Sequence, residues 1–369
     1  MKILQFIQKP QLRGAEMFAC QLSNHLLDMG HEVTVICLLD GNAKLPFKGK
    51  LVNLKRPLAK RFFDVEGWKQ LAKYIKENKP DIIQANAGDT LKFVALSKLF
   101  YRWKTPIVYR NANKVSDFIT SHPKLVFNKF LVNQLQHIIS VSELCRLDFI
   151  KTYSIPPEKT TMIPIGIDAA IIDKTLSEDV RPYFNSAKVI VNVASLVPEK
   201  NHEALLRITR EVAKEYNNIK VLILGDGKLR ESLQQKIAAM GLEDHVILLG
   251  YRSDVLSILS NADVFTLPSR IEGLPGVILE AFYCEVPVVA YNVGGISEVV
   301  RNNETGWLID KDNEGEFIAA VKDVLVNTTK TTELKKNANQ FVQKEFMNDR
   351  IAKKFADAYT KVLNRKSAV

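Results

Sequence analysis

Short, nearly uninterrupted apolar runs alternate with amphipathic segments along the whole chain, in two successive series. KILQFIQ, HEVTVICLL, DIIQAN, TPIVYRN and HIISVS read as strands of the first series. VIVNVAS, KVLILGDG, HVILLGY, ADVFTLPS, VPVVAYN and GWLID read as strands of the second. Strands without polar alternation are covered on both faces, which is the habit of parallel sheets. Segments between them, such as EMFACQLSNHLLDMG, place apolar residues at helical spacing. The pattern therefore predicts an α/β chain built from two Rossmann-like, doubly wound domains. A polar, irregular stretch, IDAAIIDKTLSEDVRPYFNSAK, separates residues 1–170 from residues 186–349. The last segment, about 350–369, reads as an amphipathic helix. Open α/β sheets bind ligands at the carboxyl ends of their strands, so a cleft between two facing domains is the expected site.

A chain of 369 residues is long enough for two cores. No apolar run approaches a membrane span, and MKILQFIQKP reads as a first strand rather than a signal peptide. Cys20, Cys37, Cys145 and Cys284 are scattered among apolar residues, as expected of buried thiols in a reducing cytosol. The net charge of +10 is uneven. Residues 1–170 hold 25 Lys and Arg against 14 Asp and Glu, and the remainder is close to neutral. The first half should be drawn to something anionic.

Four loops of the second half follow strands and can meet a phosphate. VASLVPEKN (193–201) offers Ser195 and Lys200; a lysine there meets a diphosphate as a point charge, or is simply solvated. LGDG (224–227) lets the backbone turn at Gly225 and Gly227, and a plain turn accounts for it as well. IEGLPGVILE (271–280) sets Glu272 and Glu280 on either side of Gly273-Leu274-Pro275-Gly276, with Val277 following. Proline near the first helical position suits a helix start, whose free N–H groups and dipole favour an anion. Carboxylates favour hydroxyls, since each accepts from two. Two glutamates around an anion-binding turn fit a ligand with hydroxyls at both ends and phosphates between, a nucleoside diphosphate sugar; a surface helical position is the alternative for Glu280. NVGGISE (292–298) supplies a Gly-Gly pair for close backbone approach.

These motifs together resemble a family 4 retaining glycosyltransferase of the GT-B fold. The resemblance rests on the Glu-x7-Glu signature of Glu272 and Glu280, on PSRIEGLP and EVPVVAYNVGGISEVV around it, on LVPEKN and LGDGKLRESL upstream, and on RGAEMFACQLSNHLLDMGHEVTVI and MIPIGID in the first half. It spans essentially the whole chain. It implies that Glu280 holds the ribose hydroxyls, that Glu272 and the Leu274–Gly276 backbone touch the transferred sugar and phosphates, and that Lys200 neutralises the diphosphate. It implies that Gly14 admits the donor, and that the C-terminal helix returns to the first domain. Two departures stand out. Ser195 occupies a position commonly held by Arg, for which Arg270 or Arg252 would substitute. QANAGDT lacks a common His and offers Asn86 and Asp89 instead, where Asp89 would orient an acceptor hydroxyl balanced by Arg110, or cap the following helix.

The implied reaction is hexosyl transfer with retention, without metal or other cofactor, by same-face attack, because no two carboxylates resemble a glycosidase pair. The candidate catalytic residues are Glu272, Lys200 and Asp89. Asp310-Lys311-Asp312 reads as a chance Asp-x-Asp, and the six histidines lack ligand spacing. The partners implied are a nucleotide sugar and a glycan or lipid-linked acceptor of polysaccharide or lipopolysaccharide synthesis, in the cytoplasm. Residues 89–104 and 121–135 interleave aromatics with lysines, which suits an anionic membrane on its inner face or plain packing with solvated lysines. A non-catalytic nucleotide-sugar binder is the alternative function. Nucleic acid is not expected, since the basic excess is scattered and carries no binding motif.

Overall fold

The computed structural model describes residues 1–60, 63–185, 187–326 and 328–367. The chain divides into two compact units, Met1–Asp168 joined by the chain from Met347 onward, and Ala169–Phe346.

The first unit contains β1 (Lys2–Ile7), α1 (Gly14–Asp28), β2 (Glu32–Leu39), β3 (Lys50–Arg56), α2 (Val65–Asn78), β4 (Ile82–Ala85), α3 (Gly88–Tyr101), β5 (Ile107–Asn111), α4 (His122–Val132), β6 (His137–Ser140), α5 (Glu143–Tyr153) and β7 (Thr160–Met162). Seven parallel strands lie in the order β3-β2-β1-β4-β5-β6-β7. The direction in which the chain adds strands therefore reverses between β1 and β4. Leu4, Phe6, Ile36 and Ile83 are among the side chains that fill its core. The periodicity gave no strand at β3, whose KLVNLKR is half-exposed at the sheet edge. An edge strand has one partner and little to bury, so its apolar signal fades. At α2, Asp64 accepts from the Gly67 N–H at 3.0 Å and takes both arms of Arg56 at 2.7 and 2.8 Å.

The second unit contains β8 (Lys188–Val193), α6 (His202–Ala213), β9 (Ile219–Leu224), α7 (Arg230–Ala239), β10 (Val246–Gly250), α8 (Val255–Leu259), β11 (Val264–Leu267), α9 (Gly276–Tyr283), β12 (Val288–Tyr291), β13 (Trp307–Ile309), α10 (Glu314–Val326) and α11 (Thr328–Glu345). Its parallel order is β10-β9-β8-β11-β12-β13, with the reversal between β8 and β11. All six expected strands form.

The stretch taken as a linker is tied to the second unit. The Ala170 N–H donates to the Tyr283 hydroxyl at 3.2 Å, which donates back to the Ala170 carbonyl at 3.0 Å. Residue 186, taken as the start of the second domain, lies outside the described residues. The last helix, α12 (Asn348–Ser367), belongs to the first unit and packs along α1, with the Phe18 and Phe355 rings 5.9 Å apart. Beneath it runs a buried polar seam. The Tyr359 hydroxyl donates to Gln84 Oε1 at 2.7 Å and accepts from Gln5 Nε2 at 3.1 Å.

Candidate functional site

In an open parallel sheet, loops leave in opposite directions at the point of strand reversal and open a crevice there. In the second unit the loops that part at this point are 194–201 and 268–275. Three rungs join them. Asn201 Nδ2 donates to the Pro268 carbonyl at 3.1 Å, the Arg270 N–H donates to the Glu199 carbonyl at 2.8 Å, and Lys200 Nζ meets Glu272 Oε1 at 2.6 Å. Asn201 makes its rung from a left-handed backbone, φ +54°, a conformation that asparagine tolerates better than most residues.

Lys200 and Glu272, expected to face a diphosphate and a sugar, thus neutralise one another. Glu272 is 7% exposed and Lys200 24%, so the ammonium is the more accessible partner. Beyond Glu272, Leu274 is buried and Pro275 sits at the cap of α9 with extended backbone, one position before the helical residues begin at Gly276 and Val277. Among the described residues no side chain caps α9; the Ile278 N–H donates to the Pro275 carbonyl at 3.2 Å, and the Gly276 and Val277 N–H groups remain for a ligand. Glu280 is the fifth residue of α9 and half-buried. Burial raises its pKa above the ordinary carboxylate value. Among the described residues no side chain donates a hydrogen bond to its carboxylate.

The Gly-Gly pair does different work from that expected. Gly294, at φ +56°, lies so close to the Glu272 carbonyl that a Cβ would stand 1.8 Å from the oxygen, and the Gly295 N–H donates to the Gly273 carbonyl at 2.6 Å. These glycines clamp the Glu272 loop. Gly225 is spent in the same way: a Cβ there would stand 2.0 Å from the Ala194 carbonyl oxygen, and its N–H donates to Gly250. Ser195, half-buried in the loop that Gly225 closes on, makes no side-chain hydrogen bond among the described residues.

Of the two arginines offered in place of the missing one, Arg252 is committed elsewhere. It bonds Asp254 at 2.6 Å, Asp179 at 2.6 Å and Ser177 at 2.8 Å, and these carboxylates raise its pKa. Arg270 is half-exposed and among the described residues its side chain holds only Asp312, at 3.1 Å, so it retains free donors at the edge of the loop. Asp312 itself serves that arginine, and no group of three His, Cys, Asp or Glu suited to a metal ion occurs among the described residues. His202 is buried at the start of α6 with both ring nitrogens unpartnered among the described residues, and burial lowers its pKa to about 4. All four cysteines are buried free thiols.

In the first unit the reversal point lies between the ends of β1 and β4. Gly14 and Gly88 open α1 and α3 there, and a Cβ on either would meet nothing within 4 Å. Asp89 is in the first turn of α3 rather than at its cap. It accepts from Gln8 Nε2 at 2.8 Å, with Lys92 at 3.9 Å. Gln8, in the loop after β1, was not singled out from the sequence. Asn86, expected toward an acceptor, is instead consumed by the buried seam. Its Nδ2 donates to Gln5 Oε1 at 2.9 Å and to the Phe6 carbonyl, and its Oδ1 accepts from Gln84 at 2.9 Å. Arg110 does not balance Asp89 either. It is 3% exposed over the Phe18 ring, 4.4 Å from Cζ to centroid, with Nε and Nη1 unpartnered among the described residues. Burial lowers its pKa to about 10, still charged at neutral pH.

Comparison with known proteins fits this geometry. The model described as Glycosyltransferase Family 4 matches residues 12–171, and that described as Glycosyl transferases group 1 matches residues 174–341. The chain belongs to the group 1, family 4 glycosyltransferases. This family 4 chain is 28% identical over 239 residues to the Campylobacter jejuni N-acetylgalactosamine-N,N'-diacetylbacillosaminyl-diphospho-undecaprenol 4-alpha-N-acetylgalactosaminyltransferase, covering 63% of the chain and 64% of that relative. It is 33% identical over 189 residues to the Escherichia coli UDP-Gal:alpha-D-GlcNAc-diphosphoundecaprenol alpha-1,3-galactosyltransferase, covering 48% and 47%. Each match spans less than two thirds of the relative. Anabaena HepE in complex with UDP-glucose superposes with a TM-score of 0.83 at 24% identity, over 98% of this chain and all of that one, which establishes two Rossmann-like domains.

Proposed function

We propose that the protein is a retaining, metal-independent glycosyltransferase that moves a hexose from a nucleoside diphosphate sugar to a glycan or lipid-linked acceptor in polysaccharide or lipopolysaccharide synthesis. The observation that carries this is the contact of Lys200 with Glu272 at the strand reversal of the second sheet, beside the uncapped start of α9. Glycosyl transfer breaks the bond from the anomeric carbon to the diphosphate, so negative charge grows on the leaving phosphate. Lys200 and the α9 N–H groups stand where such charge can be met, with Arg270 at the edge. Glu280, offering a carboxylate without a protein donor, suits a ribose diol. The acceptor oxygen bonds the anomeric carbon on the face the phosphate leaves, and the phosphate oxygen takes the acceptor's proton. Gly14 has no packing reason to be glycine, which suits close approach of a donor; Asp89, held by Gln8, suits an acceptor hydroxyl.

Two relatives are named for undecaprenol-linked acceptors, which supports a lipid-linked acceptor here. The same features favour catalysis over a purely sugar-nucleotide-binding role. The test is thermal unfolding of wild type and Glu280→Ala with UDP, GDP, ADP and their common sugars. A ligand at 100 times its Kd stabilises by about 2.7 kcal/mol. Stabilisation by one nucleotide class that the variant loses is expected; no stabilisation by any of them refutes the donor site.

A further inference from the structure

In the first unit, α2, α3, α4 and α5 all follow crossovers running one way along the sheet, whereas α1 runs the other way. The right-handed rule therefore puts α2–α5 on one face and α1 on the opposite face, where α12 joins it. The two faces differ sharply. Of the 17 large apolar side chains exposed among the described residues, 11 lie on α2–α5 or the segments leading into them. α4 is the extreme case: Val126 is 54% exposed, Phe127 41% and Phe130 49%, on one helical stripe. Phe118 before α4 and Leu147 on the neighbouring α5 extend the stripe. Phe63 and Phe100 add a second exposed edge, packed on either side of Trp68 at 5.2 and 4.9 Å. By contrast α3 buries Leu91, Phe93 and Val94, so its aromatic run is core apart from its last turn.

Charge singles out the occupant. Residues 58–153 carry a net +8 of the chain's +10. From Phe118 to Ser142 there is no Asp or Glu, and Lys124 and Lys129 flank the α4 stripe in exposed positions. A second copy of the chain would bring two such cationic faces together. An apolar stripe bordered by lysines is what an anionic lipid surface accepts, with the apolar side chains in the acyl boundary and the ammonium groups at the headgroups.

We infer that the α2–α5 face docks on an anionic bilayer with α4 outermost, its Val126, Phe127 and Phe130 inserted and Lys124 and Lys129 on the lipid phosphates. The inference rests on the proposed reaction only for its purpose, bringing the first unit to a lipid-linked acceptor. The assay contains no donor, so the two readings fail separately. The full chain is floated with phosphatidylglycerol/phosphatidylcholine vesicles and with phosphatidylcholine alone. Binding to the anionic vesicles, weakened by salt, is expected. Lys124→Gln with Lys129→Gln should lower the partition coefficient about 30-fold. Val126→Ser with Phe127→Gln and Phe130→Gln should abolish binding; these side chains are exposed, so the fold stays intact by thermal unfolding. Met29→Gln, at the end of α1 on the opposite face, should bind as wild type does. Absence of wild-type binding, or wild-type binding by the triple variant, overturns the inference. So does a dimer that the triple variant converts to a monomer, which would make the face a contact between copies.

Discussion

Lys200 is held by Glu272 at 2.6 Å, and the consequences of cutting that contact separate structure from catalysis. Lys200→Ala leaves the Glu272 carboxylate 7% exposed and without its cation. Breaking a fully buried pair costs about 3–5 kcal/mol; because Lys200 is one-quarter exposed and water can replace it, about 2–4 kcal/mol is expected. At about 2–4 °C per kcal/mol for a unit of this size, Tm should fall by about 5–15 °C. Adding Glu272→Ala removes the stranded charge, and a coupling of about 1–3 kcal/mol should return. Turnover should not follow stability. Loss of the cation proposed to meet the leaving diphosphate should lower kcat about 10²–10³-fold, as removal of one transition-state donor does in other enzymes, and the double variant should stay as slow. Nucleoside diphosphate release, measured on folded protein well below each variant's Tm, is the assay. Wild-type turnover in Lys200→Ala, or activity that recovers together with stability in the double variant, would refute the reasoning, since the pair would then be only a brace.

Three further outcomes can be checked. Burial raises the folded-state pKa of Glu280, so its contribution favours folding below the unfolded pKa and is lost as pH rises through the folded one; Glu280→Gln should therefore raise Tm at neutral pH while weakening nucleotide binding, and a lower Tm would show the carboxylate to be structurally satisfied. Nucleotide binding by wild type should likewise fade on acidification at a higher pH than an ordinary glutamate would give, measured by titration calorimetry. Gly14→Ala meets empty space and should leave Tm unchanged while lowering kcat/KM, whereas Gly294→Ala, with a Cβ 1.8 Å from the Glu272 oxygen and φ +56°, should cost at least about 2 kcal/mol. Equal effects of the two on stability would contradict the division drawn between them.

The strands that anchor the site were legible because a central parallel strand is apolar on both faces: VIVNVAS, ADVFTLPS and VPVVAYN can be little else. The edge strand β3 was not, because KLVNLKR buries little and its exposed half dilutes the pattern. Nor could the sequence say that residues 169–185 fasten to the second unit. Their ties to Tyr283, Asp254 and Arg252 span 73–113 positions and carry no periodicity.

Within the site, residues were legible in proportion to how far their chemistry is local. A glutamate separated by seven residues from another, across a turn that opens a helix, announces itself wherever the chain lies. Partnership does not. Asn86 and Asp89 stand three positions apart, yet one is consumed by Gln5, Gln84 and the Phe6 carbonyl while the other reaches the strand-reversal edge through Gln8. Arg252 and Arg270 are alike as letters, but two carboxylates hold the first and one half-exposed carboxylate the second. The glycines make the same point more strongly. Gly14 and Gly294 both read as places where a ligand comes close. What comes close to Gly294 is the Glu272 carbonyl, whereas among the described residues nothing stands within 4 Å of where a Cβ on Gly14 would be. A glycine that no neighbour requires, as at Gly14 and Gly88, leaves room for a ligand at a helix start, whereas Gly294 is required by the close passage of the Glu272 carbonyl.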